Sequence, residues 1–355
     1  LQLNPFQESI PLDHMAKAVS DPPPMTSANI DSFDWKKGHR IHRSSDGSVF
    51  FVSNGSGSTV VLKGSSQIVQ ELFANRFFER FSSVRVPRSR IIEYTNDEWS
   101  LIKTHLPHLT HGNQGVELAL KKSLDRAFFM VMELVVGRSM IDLTHDMACS
   151  IFGTSSGEQQ QQQQQQATAT LTSLGHMIAA DIALNNWDRL PMPVWDNEGN
   201  AQNLMFTVPD GHLVAIDQAH TTINSATFGV RYERYMTRAK NFAASCARLD
   251  ATDADDEPAW AALRMMLGAT VGVVLDRAAI NAVKRGFNEA LGRLALVTLD
   301  DLTALKNEVR STVSVDWADV WRSGVAAIDE GFILSAIRAM VAGATEAGLS
   351  LPPSS

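Results

Sequence analysis

Leu184-Asn185-Asn186-Trp187-Asp188-Arg189-Leu190-Pro191, then Asn203-Leu204-Met205-Phe206, then Leu213-Val214-Ala215-Ile216-Asp217-Gln218, is the stretch on which the fold is decided. Residues 171–184 read as a helix, and the Asn-Asn-Trp-Asp-Arg loop follows it directly. Residues 203–208 and 212–217 are strand-forming runs around Pro209-Asp210-Gly211, a hairpin signal. Asn203 opens this hairpin and Asp217 closes it, so antiparallel pairing brings the two ends together. An Asn and an Asp there, with Asp188 fifteen residues before Asn203, supply oxygen ligands of the kind Mg²⁺ takes. They leave Asp188 free to accept a hydroxyl proton. Taken alone, a loop Asp-Arg pair is more often structural.

Upstream, Val49-Phe50-Phe51-Val52 and Thr59-Val60-Val61-Leu62-Lys63 flank Ser53-Asn54-Gly55-Ser56-Gly57-Ser58, a second hairpin. Backbone N–H groups of the Asn54–Ser58 turn can lie over phosphates where side chains are small, and Lys63 at the strand end can reach α- and β-phosphates. Most such turns are only turns, and a strand-end lysine is usually solvated. Residues 67–81 run without Gly or Pro and read as a helix; Glu71 or Glu79, eight apart, can pair with Lys63. Residues 90–94, 99–104 and 127–136 read as strands, giving a sheet with one inserted helix over 45–136. The last strand leaves the sheet at Glu133-Leu134-Val135-Val136-Gly137, where backbone groups of Glu133 and Val135 can meet an adenine edge. Beyond residue 230 helices are expected at 259–275, 277–296 and 332–347, the first starting at Glu257-Pro258.

Composition narrows the class. The 355 residues suit two lobes, each with its own core. A net charge of −8 argues against a dedicated binder of nucleic acid or anionic membrane, and no run approaches the ~20 apolar residues of a membrane helix. Cys149 and Cys246 are the only cysteines, too few for a disulfide framework or a cysteine zinc site, and they fit a reducing compartment; a cytoplasmic location is the expectation. The chain begins at Leu1, as a piece of a longer one would. Residues 1–34 read as a flexible lead-in, and 153–170, centred on Gln159–Gln166, as a low-complexity insertion in an exposed loop. Gly153-Thr154-Ser155-Ser156-Gly157 matches a hydrolase pattern but lies at the edge of that insertion, away from any strand-to-helix elbow. His105, His108 and His111 read as solvated loop residues, and Met265-Met266 as core.

Turn, Lys, helix Glu, strand exit, loop Asp, Asn and hairpin-end Asp follow one another in the order of a protein-kinase-like fold. The segment 174–218, with Leu174-Gly175-His176-Met177, the 184–191 loop and Ile216-Asp217-Gln218, resembles the catalytic domain of the actin-fragmin kinase family, atypical protein kinases distantly related to phosphoinositide kinases. The resemblance extends more loosely over 35–340. It implies an α+β bilobal fold, with an N-lobe at 35–136 and a C-lobe at 137–350, that moves the γ-phosphate of ATP to a Ser or Thr hydroxyl with Mg²⁺ or Mn²⁺. It implies Asp188 as base, Asn203 and Asp217 as metal ligands, and Asn54, Gly55, Ser56, Gly57, Ser58, Lys63, Glu71, Glu133 and Val135 as the ATP site. Its implied partner is actin, alone or bound to a gelsolin- or fragmin-type severing protein, and hence the cytoskeleton. His-Arg-Asp and Ala-Pro-Glu are absent, and Asp217-Gln218-Ala219 stands where ordinary kinases have Asp-Phe-Gly. A binding module without turnover and a lipid kinase are the alternatives. The family's Kelch-repeat propeller leaves no 40–50-residue repeat in this sequence.

Overall fold

The runs at 49–54 and 58–63 carry apolar side chains on both parities, which suits strands covered on both faces. A computed structural model describes residues 25–44, 49–153, 160–208, 210–249, 253–313 and 318–351. In it the N-terminal lobe holds β1 (Thr26–Ser27), β2 (Gly38–Arg43), β3 (Val49–Asn54), β4 (Ser58–Lys63), α1 (Ile68–Phe81), β5 (Ser89–Glu93), α2 (Asp97–His105), α3 (Gln114–Leu124) and β6 (Phe128–Glu133). The strand order is β2-β3-β4-β6-β5, antiparallel throughout. β1 pairs in parallel with the start of β4, Thr26 opposite Ser58, beyond the point where Glu133 ends β6 opposite Val60. Phe50, Val52, Val60 and Leu62 share one core with Ile102 of α2 and Leu120 of α3. Val61 and Lys63, of the other parity, therefore face α1 and the space below the sheet.

The lobe departs from the sequence expectation in two places. The segment 99–104 is part of a helix, α2, not a strand, so three helices rather than one join this sheet. Asp97 and Glu98 occupy its first turn, and Lys103 and His105 its last, the charge order that the helix dipole favours. Trp99 and Ile102, three apart, turn to the core side, and Trp99 stacks on Phe129. The lead-in lies outside the described residues as far as 24, but Ile30, Phe33 and Trp35 are buried in the lobe's core.

The second lobe holds β7 (Gly137–Ser139), α4 (His145–Phe152), α5 (Gln160–Leu184), β8 (Leu204–Thr207), β9 (Leu213–Ala215), α6 (Gly229–Ala247), α7 (Asp253–Val271), α8 (Arg277–Leu294), α9 (Leu299–Arg310), α10 (Ala318–Ala326) and α11 (Glu330–Glu346). The glutamine tract is not a projecting loop from Gln160 onward. It forms the first turns of α5, glutamine being a good helix former, and Gln166 donates to the Asp210 carbonyl at 2.8 Å. Residues 154–159, with most of the hydrolase-like motif, lie outside the described residues, as does Pro209 of the expected turn. Pro258 lies inside α7, which starts earlier than expected. Met265 is 72% exposed, so only Met266 packs toward the core.

The helical lobe is built on α5 against α8. Their backbones touch through Gly175 and Gly286: a Cβ on Gly175 would overlap the Val283 carbonyl oxygen, and one on Gly286 the Thr172 carbonyl oxygen. Backbone on both sides cannot give way as a side chain can. Gly175→Ala is expected to cost about 3 kcal/mol, read as a lower urea midpoint; an unchanged midpoint would mean that the helices separate freely.

Candidate functional site

Between the lobes lies a cavity of about 310 Å³. Val61, Lys63, Met132 and Glu133 line it from the large sheet, Val135 from the segment after β6, Met205 from β8 of the small antiparallel sheet β7-β8-β9, and Asn203, Ile216 and Asp217 from the ends that flank β8 and β9. A wider basin beside it shares Lys63, Glu71 and Asp217 and adds Lys122, Arg126, Trp187 and Asp188.

Lys63 stands where β4 ends, buried, with its Nζ 3.0 Å from Glu71 Oε2 on α1 and also paired with Asp217 Oδ1. Burial works against its charge, but the carboxylates of Glu71 and Asp217 outweigh it and the ammonium titrates above the usual lysine range. Glu79, the other candidate, pairs with Arg76 at 2.6 Å instead. Burial lifts the Glu71 carboxyl above its ordinary range, with Lys63 opposing the rise.

On the lower side β8 and β9 pair Leu204 with Ala215, and Ile216 N donates to the Asn203 carbonyl at 3.2 Å. That register sets Asn203 beside Asp217, as the spacing leads one to expect. Asn203 Nδ2 donates to the Asp188 carbonyl oxygen at 2.9 Å and lies 3.5 Å from Asp188 Oδ2, which leaves Asn203 Oδ1 as an acceptor. Asp217 sits in the left-handed region at φ 54°, a conformation a short polar side chain tolerates. Burial, and then the neighbouring Asp217 charge, raise the Asp188 carboxyl above its ordinary range, while Asn203 opposes the rise. No three His, Cys, Asp or Glu converge as a metal centre among the described residues. One carboxylate and one amide oxygen nevertheless suit Mg²⁺, which keeps waters and substrate phosphates in its remaining positions.

A buried network holds these groups in place. Arg189 is 0% exposed. Its guanidinium binds Asp181 Oδ1 of α5, the Ile216 carbonyl at 2.9 Å and Gln218 Oε1, joining the helix, the Asp188 loop and the segment that leaves β9 through Asp217. Asn186 Nδ2 adds 2.9 Å to Asp181. Sequence reasoning treated Arg189 as a neighbour of Asp188 and missed Asp181 and Gln218. The available signal was a carboxylate inside the otherwise apolar run Met177–Leu184 that ends α5, which must have a partner.

The structure does not bring the Asn54–Ser58 turn to the cleft. Lys63 pairs with Val49 at one end of the β3–β4 hairpin, while the turn follows Ser53 opposite Thr59 at the other, roughly 15 Å away at strand rise. The turn is closed on itself: Asn54 Oδ1 accepts from Ser56 N at 3.0 Å and Ser58 N at 3.0 Å. Ser44 and Val49, flanking residues 45–48, line the cleft instead; 45–48 lie outside the described residues. Glu133 and Val135 do line it, and Glu133 also pairs with Arg85 at 2.6 Å.

Below the cleft His220 is buried between Phe73 and Phe332, with Nδ1 3.0 Å from the Leu184 carbonyl oxygen. Burial lowers its pKa to about 4. The unfolded chain then binds a proton on this residue, between about pH 6.5 and pH 4, that the folded chain does not. Stability from a neutral His220 is complete above about pH 6.5 and is lost as pH falls toward 4, on the order of 3 kcal/mol in all. His220→Asn is expected to flatten that limb of the urea midpoint against pH; an unchanged slope would assign the acid sensitivity to other groups.

Comparison with known proteins places this geometry. The family described as "Actin-fragmin kinase, catalytic" matches residues 20–259, about two thirds of the chain. A Dictyostelium discoideum protein named as a candidate actin-fragmin kinase is 26% identical over 339 residues, 90% of this chain and 76% of its own length. A second from that organism is 23% identical over 294 residues, 80% of this chain and 63% of its own. A dual specificity protein phosphatase of Arabidopsis thaliana is 23% identical over 163 residues, 44% of this chain but 16% of that protein, a share too small to carry its activity here. With its sheet-over-helices architecture and interlobe cleft, the chain belongs to the actin-fragmin kinase catalytic family.

Proposed function

We propose that this protein transfers the γ-phosphoryl group of ATP to a Ser or Thr hydroxyl on a folded protein, namely actin or actin held by a gelsolin- or fragmin-type severing protein. The observation that carries the proposal is the convergence of Lys63, Glu71, Asp188, Asn203 and Asp217 from five separate places in the sequence on one interlobe cleft. The names of the Dictyostelium relatives support the acceptor.

In this reading Lys63, kept charged by Glu71, holds phosphate oxygens. Asp188 takes the proton of the acceptor hydroxyl as its oxygen bonds to the γ-phosphorus and the bond to the departing ADP oxygen breaks. Asn203 Oδ1 and the Asp217 carboxylate would hold Mg²⁺ or Mn²⁺, which neutralises phosphate charge when bound. The backbone at Glu133 and Val135 faces the adenine.

The test is transfer of label from γ-labelled ATP in the presence of Mg²⁺. Actin, actin with a severing protein, and phosphoinositide vesicles are offered separately. Label on actin is expected; label confined to the vesicles would make the protein a lipid kinase, and label nowhere would overturn the proposal. Asp217→Ala is expected to weaken metal-dependent nucleotide binding by roughly 10–100-fold, measured with a fluorescent ATP analogue. Unchanged affinity would remove Asp217 from the metal role.

A further inference from the structure

A further pocket, of about 340 Å³, is lined by Asn185 and Trp187 of the Asp188 loop, and none of the groups assigned above lines it. Arg231, Arg234 and Arg238 line it from α6, at three- and four-residue spacing on one helix face. Trp187 and Trp195 form its walls. Arg238 is paired with Asp196 at 2.9 Å. Arg231 and Arg234 make no ion pair with any described residue.

Two features say that these cations serve something outside the chain. Arg231 lies in the first turn of α6, which contains no acidic residue, so its charge opposes the helix dipole and is unfavourable to the fold. The pocket also shares Trp187 with the basin that holds Asp188. Trp187 is 46% exposed and adjacent in sequence to the proposed base. That basin is also lined by Lys122 of α3 and Arg126 beyond it, likewise without ion pairs among the described residues. A chain of net charge −8 thus turns uncompensated cations toward the place where an acceptor must sit.

We propose that the Arg231–Arg234 pocket receives a carboxylate side chain of the acceptor protein, held by the guanidiniums against Trp187, and so selects an acceptor hydroxyl flanked by acidic surface. This rests on the protein-kinase reading above. Planar guanidiniums bind carboxylates in bidentate fashion. The Trp195 wall is fixed to the loop, Trp195 Nε1 donating to Asn185 Oδ1 at 2.8 Å, so an occupant here is held at a set position relative to Asp188.

Trp187 and Trp195 report occupancy without any turnover. The full chain is titrated with hexaglutamate and, separately, with inorganic phosphate, while tryptophan fluorescence is followed. The expected result is a saturable, salt-sensitive response to hexaglutamate that weakens about tenfold in R231Q/R234Q and loses amplitude in W187F. An equal response in R231Q/R234Q, or a response to phosphate alone, overturns the proposal. In transfer assays R231Q/R234Q is expected to raise the KM for the acceptor protein about tenfold, the loss appearing in KM rather than kcat; an unchanged acceptor KM also overturns it. Absence of transfer by the unaltered chain, with the hexaglutamate response intact, would instead count against the kinase reading.

Discussion

Asp188→Ala is expected to slow phosphoryl transfer about 10³-fold while leaving MgATP affinity within about threefold of the unaltered protein. The two effects separate because the groups assigned to the nucleotide do not depend on the Asp188 side chain. Lys63 is held by Glu71 and Asp217, and Asn203 keeps its 2.9 Å bond to the Asp188 backbone carbonyl, which the substitution preserves. What disappears is a carboxylate whose proton affinity burial and the Asp217 charge have raised, a change that suits a proton acceptor. Asp188→Asn, which keeps the shape and removes the charge, should lose nearly as much. Label transfer and nucleotide fluorescence measure the two quantities independently. Near-normal turnover in either variant would take Asp188 out of the base role.

Arg189→Met should be the most destabilising single change at the site. The guanidinium and the Asp181 carboxylate are both buried, and removing one leaves the other unpaired. The expected cost is about 3–5 kcal/mol. Burial already raises the Asp181 carboxyl; without Arg189 it would take up a proton on folding, so the loss should shrink as pH is lowered. D181N/R189M should recover a good part of it, because the uncompensated charge is gone. Denaturant titrations of the three variants decide this. A stable Arg189→Met protein would mean that Asp181 has another way to stay neutral or paired.

Much of the architecture could be read from short-range signals. The hairpins at 49–63 and 203–217, the helix at 67–81 and the Asn203–Asp217 juxtaposition follow from turn residues and period. The segment 99–104 was misread because Trp, Leu and Ile suit a strand. Its decisive feature was the placing of charges at either end of nine residues. The turn at 54–58 was misassigned for a different reason: sequence shows that a hairpin has two ends but not which one faces the partner lobe. Gln218 illustrates what single positions conceal. It stands where ordinary kinases carry Phe, and its carboxamide is buried, accepting from Arg189 and donating to the Ala215 carbonyl at 2.6 Å. Only the fold shows that the network needs a polar group there.

The glutamine tract occupies the leading end of α5, and this bears on inheritance. Repeated codons gain and lose copies during replication, and inside a helix each added residue would turn everything beyond it by about 100°. At the leading end, a longer or shorter tract leaves the phase of Ala167, Thr170, Leu171 and Leu174, all buried, unchanged relative to α8 and the Asp188 loop. Lineages should therefore drift in tract length while the helix beyond it keeps its register, and the repeat can act as a mutational hotspot with little consequence for the site at the helix's other end.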